Sequence, residues 1–220
     1  MQYILAYFSL FFTVMVMQAQ TDAVILTNEE AASKYEQGMQ KAFKLWAENK
    51  PWEAANMFER ISVAEPNKWL PPYYVATIHV VNSFDEKDKD KLTEQLKKAQ
   101  DFINDATAIS KENPEIMLLQ AQLYTAWIVF DGMQYGMKYS PKATELYNKA
   151  LELEPENPRM ILSNAEWNIG SAKYFGGSID SYCADIQRAI DLFETFKPKG
   201  KFYPSFGEER AKQILAENCE

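Results

Sequence analysis

Histidine is nearly absent: His79 stands alone in 220 residues, which removes His-dependent catalysis and any multi-histidine metal site from consideration. Cysteine is almost as scarce. The only two, Cys183 and Cys219, lie far apart in the C-terminal region, so neither a zinc cluster nor a haem-attachment motif can be built from them. With eight glycines and ten prolines, the chain contains no phosphate-binding loop and no nucleophile elbow. Positive charge is also in deficit. The 23 Lys and Arg against 31 Asp and Glu leave a net charge of −8, which repels phosphate backbones and excludes nucleic acid as a partner. No enzymatic activity, resident cofactor or metal site is expected.

Charge is missing altogether from the first nineteen residues, which run apolar from Tyr3 to Met17. That run is shorter than a full membrane span and reads as a secretory signal peptide over 1–19, cut after Ala19, with an uncleaved anchor as the alternative. Residues 20–220 are then one mature domain without a stable membrane span, located in the periplasm or otherwise exported.

What is abundant is apolar and helical. The chain is 47% hydrophobic and 14% aromatic, enough to bury a sizeable core, and its long Ala, Leu, Glu and Lys segments favour helix. Two stretches carry the same apolar code: Ala54, Phe58, Ile61, Pro66, and again Ala143, Tyr147, Ala150, Pro155. A small residue, an aromatic four on, a small or aliphatic residue three on and a proline five on resembles the second helix of a tetratricopeptide repeat. The small side chain admits the neighbouring helix, the aromatic fills the gap between repeats, and proline ends the helix. Upstream, Ala42 lies twelve residues before Ala54, and Ala76 follows Ala42 by 34, the period of that repeat. The resemblance implies an all-α chain: a right-handed superhelix of about four antiparallel helix hairpins with a C-terminal capping helix.

Start and stop signals place nine helices. The capping box Thr27 to Glu30 opens the first; Asn113-Pro114, Ser140-Pro141 and Asn157-Pro158 open later ones; Ser178 and a second box, Ser205 to Glu208, open the last two. The charge run from Asp85 to Lys98 reads as a solvated face, with Glu94 and Lys98 four apart. Between Ala121 and Ala143 lie 22 residues where the repeat needs twelve. The excess overlaps 131–139, whose two Gly, two Met and two Tyr predict a partly ordered loop, serving either as a contact surface or as a cover over core.

In the family, the first helix of each hairpin lines a concave groove. Counting from the small residues, the resemblance implies a partner-binding groove of Met39, Phe43, Trp46, Tyr73, Thr77, Leu118, Gln122, Arg159 and Glu166. The groove would be apolar at its N-terminal end and polar at the other. Met39 and Phe43 stand where chaperone-cofactor members carry the Lys and Asn of a carboxylate clamp, so an apolar protein or peptide segment is the expected partner. A non-enzymatic envelope adaptor or scaffold is the first reading; a periplasmic small-ligand binder serving a transporter is the alternative. His79, in a run of Tyr, Ile and Val, reads as a satisfied packing residue. In an oxidising compartment Cys183 and Cys219 form a possible disulfide, closing a loop worth about 4 kcal/mol on the chain-entropy model.

Overall fold

The computed structural model describes residues 34–219. The signal-peptide segment and the Thr27 to Glu30 box lie outside the described residues. Helix α1 covers 34–47 within them, followed by α2 (Pro51–Ala64), α3 (Leu70–Ser83), α4 (Lys89–Ile109), α5 (Pro114–Phe130), α6 (Gly132–Leu153), α7 (Pro158–Phe175), α8 (Asp180–Phe193) and α9 (Glu208–Asn218). From α2 on, each helix packs on its successor, α1 meets α2 through Phe43 on Phe58, and α5 also touches both α3 and α7. That pattern is a tetratricopeptide-like solenoid in which the odd-numbered helices form the inner row, with α9 laid on α8 at the end.

The caps explain the boundaries. Asn113 and Asn157 each accept from the backbone N–H two residues on, with proline at the first helical position. Asp88 accepts from Asp90 and Lys91 to open α4. Gly176 closes α7 at φ 77°, a left-handed conformation that glycine adopts without cost. The repeat code packs as its spacing implies. Phe58 is fully buried and stacks on Tyr74 at 5.2 Å, and Tyr147 is buried against Trp167 at 5.7 Å.

Four local expectations are corrected. Residues 131–139 are helical, not a loop: Asp131 caps α6 through the backbone N–H of Gln134, and Pro141 lies inside that helix instead of opening it. Proline there removes only the bond its missing N–H would have made. Gly207, with no side-chain cap, precedes α9, so the Ser205 box does not form. The 85–98 run is mostly exposed apart from Leu92 and Leu96, as a solvated face should be, and Lys98 pairs with Glu59 on α2 at 2.8 Å. His79 is buried but not satisfied, since its Nδ1 has no hydrogen-bond partner.

Between α8 and α9 the chain leaves the last hairpin, reaches α1, and returns. This strap, residues 194–207, lies along the inner row near the helix N-termini. A disulfide joins Cys183 on α8 to Cys219 after α9, with Cα atoms 5.7 Å apart, closing the loop that contains the strap.

Candidate functional site

The strap occupies the surface that the family pattern assigns to a partner. The Phe202 ring stacks on Phe43 at 5.8 Å and meets Tyr35 edge-on at 6.1 Å. Tyr74 donates its hydroxyl to the Phe202 carbonyl at 2.6 Å, and Tyr203 packs edge-on against Trp69. Lys201 pairs with Glu36 on α1. Burial pushes the Tyr74 phenol far above its usual range, so it remains a donor. Met39, Tyr73, Thr77 and Leu118 are core, and Phe43, Trp46 and Gln122 are half-buried. Glu166 pairs with Arg210 of α9. The structure thus brings Phe43, Tyr73 and Arg159 together around the strap, while Leu118 packs in a separate cluster with Ala143 and Tyr147.

Arg159 is the strongest electrostatic feature. Its side chain, 5% exposed, faces Glu115, equally buried, with Nε to Oε1 at 3.0 Å and Nη2 to Oε2 at 3.0 Å. The guanidinium also donates to the Phe206 carbonyl and lies 4.0 Å above the Phe206 ring. Burial pulls the Arg159 pKa down, but the Glu115 charge and the Tyr73 hydroxyl more than reverse it. Arg159 therefore stays charged and pins the strap to α5 and α7. Beside it, between the starts of α5 and α7 and the strap, opens a cavity of about 420 Å³ lined by Glu154, Phe196, Lys197, Lys199 and Tyr203 among others. At its mouth Lys199 pairs with Glu154, and the first α5 N–H groups are taken by Asn113.

The 131–139 segment, which the sequence offered as a contact surface or a cover over core, contributes two rings to an aromatic surface that counting from the repeat code did not include. Where α5 turns into α6, Tyr124 and Tyr139 stack at 5.0 Å with planes 14° apart; Trp127 lies 6.4 Å from Tyr139 and 4.8 Å from Tyr135. All four rings are half-buried. Lys138 sits 4.6 Å over Tyr139 and Lys142 5.9 Å over Tyr124. Burial, then Tyr139, raises the Tyr124 pKa; hydrogen bonding to Tyr139 raises that of Lys138. The signal was present in 132–139, which reads Gly-Met-Gln-Tyr twice with Lys replacing Gln. Two identical aromatics four apart share one helical face. Among the described residues no group of His, Cys, Asp and Glu could hold a metal, and no helix is long and apolar enough to cross a membrane.

No protein-family model matches the chain, and no curated protein sequence matches it. Among solved structures it is similar to the HusA haemophore from Porphyromonas gingivalis, with 23% identity over 84% of this chain and 94% of that one, at a TM-score of 0.71. A likeness at that identity shows the shared fold. A second match, a thermophilic TPR protein in Thermus thermophilus, has 13% identity over 83% of this chain and 97% of that one. Its TM-score of 0.40 is too low to argue from.

Proposed function

We propose that this protein is an exported, non-enzymatic carrier that binds a flat, apolar small molecule bearing acidic groups, of the tetrapyrrole class, on the aromatic wall of the α5–α6 hairpin. The observation that carries the reading is the wall itself: four half-buried rings with lysine ammonium groups over two of them. Aromatic faces bind a planar π-system by offset stacking, and the lysines supply cations for its carboxylates. Sharing a fold across nearly its whole length with a haemophore supports the same reading. The apolar N-terminal segment and the disulfide favour an oxidising, exported setting.

Titration with haemin and with metal-free protoporphyrin, followed by absorbance and tryptophan quenching, tests this. Saturable binding of both is expected. The Trp127→Ala, Tyr139→Ala double variant removes two ring contacts worth about 0.5–1.5 kcal/mol each, so affinity falls roughly 5- to 150-fold. Lys138→Gln with Lys142→Gln should weaken the dicarboxylate but not its dimethyl ester. Absence of saturable binding, or affinity indifferent to these changes, defeats the proposal.

The strap favours a second reading, as a protein or peptide adaptor, because the concave groove already accommodates an extended segment with aromatic side chains. A synthetic peptide of residues 197–207 binding in trans to a Phe202→Gly, Tyr203→Gly variant would support it; no binding would leave the carrier alone.

A further inference from the structure

One segment breaks the rhythm of the hairpins. The strap, residues 194–207, runs 14 residues without a helix, whereas the other links between the described helices span five residues at most. Loops of that length inside a compact domain are uncommon and usually carry a function. Its two ends are held and its middle is not. At one end Phe196 packs edge-on against Phe193; at the other Phe202 and Tyr203 pack against α1 and the start of α3, Pro204 is buried, and Phe206 lies under Arg159. Residues 197–201, Lys-Pro-Lys-Gly-Lys, are all exposed, and among the described residues their backbone makes one hydrogen bond, from the Tyr203 N–H to the Gly200 carbonyl at 3.1 Å.

Three features single out one bond in that middle. The first is access. A peptidase with a carboxylate at the base of its specificity pocket accepts lysine, and it must hold several residues extended on each side of the bond, which a short turn between packed helices does not offer. Lys197 is followed by Pro198, which lacks the backbone N–H and the freedom of φ. Lys201 is followed by Phe202, whose ring is stacked on Phe43. Lys199–Gly200 meets neither obstacle: Lys199 is 63% exposed, so its pair with Glu154 is readily exchanged for water, and Gly200 has no side chain to place. The second feature is the disulfide, with Cys183 before the strap and Cys219 after it, so that one cut leaves both pieces covalently joined. The third is Phe202, whose φ of 65° lies in the left-handed region. A bulky residue stays there only while the chain around it is fixed, and a cut just upstream frees it.

We propose that Lys199–Gly200 is a processing site, at which hydrolysis by a lysine-specific peptidase uncovers the groove beside α1 and α3. One water adds across the amide, leaving a carboxylate on Lys199 and an ammonium on Gly200. The proposal rests on the adaptor reading of that groove and supplies its regulation. Before the cut, the Phe202 and Tyr203 rings are presented by a chain anchored at both ends. After it they hang from α9 alone, and a competing aromatic peptide meets a strap that has lost one anchor and its preorganisation. Helices α8 and α9 stay together through the disulfide and through the buried Ile186, Ala189, Ala211 and Ile214, so the solenoid keeps its end.

Brief digestion of the mature chain with a lysine-specific endopeptidase tests the inference. The expected product is a fragment of residues 200–220 that separates only on reduction, from a protein whose helical spectrum is unchanged. Lys199→Gln should abolish that cut, and Lys201→Gln should leave it in place. Once the peptidase is inhibited, a labelled peptide of residues 197–207 should bind the nicked protein roughly tenfold or more tightly than the intact one. If the peptide binds the Phe202→Gly, Tyr203→Gly variant but binds nicked and intact protein alike, the processing site fails and the adaptor reading survives. If it binds none of the three, both fail. Resistance of Lys199–Gly200 to the peptidase, or loss of the helical spectrum on cutting, also overturns the inference.

Discussion

Removing the Arg159 guanidinium is the most demanding test of how this fold holds together. Arg159→Met keeps the aliphatic volume but leaves the Glu115 carboxylate, 4% exposed, without its partner. Breaking a buried pair on one side costs about 3–5 kcal/mol, because a charge remains that water cannot reach. The same change releases the Phe206 carbonyl and the ring contact at 4.0 Å, adding about 1 kcal/mol. Against a total stability of about 5–15 kcal/mol for a domain of ordinary size, the variant should be marginal. Adding Glu115→Leu to Arg159→Met removes the stranded charge, so the double variant should recover all but about 1–2 kcal/mol. Urea unfolding followed by far-UV circular dichroism gives both numbers. If the single change costs under about 1 kcal/mol, or the two changes simply add, the pair is not the buried, mutually dependent unit described above.

His79 makes stability pH-dependent. Burial first, then Lys98, lowers its pKa from 6.5 to about 4, with Glu59 opposing and the Trp52 ring packed beside it. The unfolded chain takes up this proton near pH 6.5 and the folded chain only near 4, so the stabilisation is whole above that window. It is lost as pH falls through it, by up to about 3 kcal/mol. His79→Phe should flatten the stability profile between those pH values relative to wild type in urea unfolding; a profile with the wild-type slope would refute the assignment. Phe58→Ala and Tyr147→Ala should each cost roughly 3–5 kcal/mol, since both fill gaps between packed helices. A loss below about 1 kcal/mol at both would mean that these rings do not bridge the repeats.

The hairpins were legible because their signals are local. Ala54, Phe58 and Pro66 fix one helix, Asn113-Pro114 and Asn157-Pro158 start two more, and the 34-residue interval from Ala42 to Ala76 sets the register. The strap was not legible. Its residues carry no periodic pattern, and its placement depends on contacts such as Phe43 with Phe202 that lie more than 150 residues apart in sequence. Counting from the repeat code therefore found the residues of the inner face but not that the chain itself covers several of them. The 131–139 segment misled for a different reason. Two glycines weighed toward a loop, whereas the Asp131 cap and the rings of Tyr135 and Tyr139 packed on α5 outweigh the roughly 1 kcal/mol that each glycine costs in a helix.

The strap also ranks the possible binding surfaces. A peptide entering the groove beside α1 and α3 must first displace residues that already satisfy it. It forfeits the Tyr74 bond to the Phe202 carbonyl, the Phe43–Phe202 stack and the Arg159–Phe206 contact. At about 1 kcal/mol each, these lower apparent affinity roughly 100-fold before any new contact forms. A ligand at the α5–α6 wall displaces no described segment of the chain from rings that are half-buried. The free energy of desolvating that surface has not been offset within the fold, and it is available to whatever covers it. Groove binding thus carries a penalty that wall binding does not, and Phe202→Ala should separate them: it should strengthen groove binding of a peptide and leave porphyrin affinity at the wall unchanged.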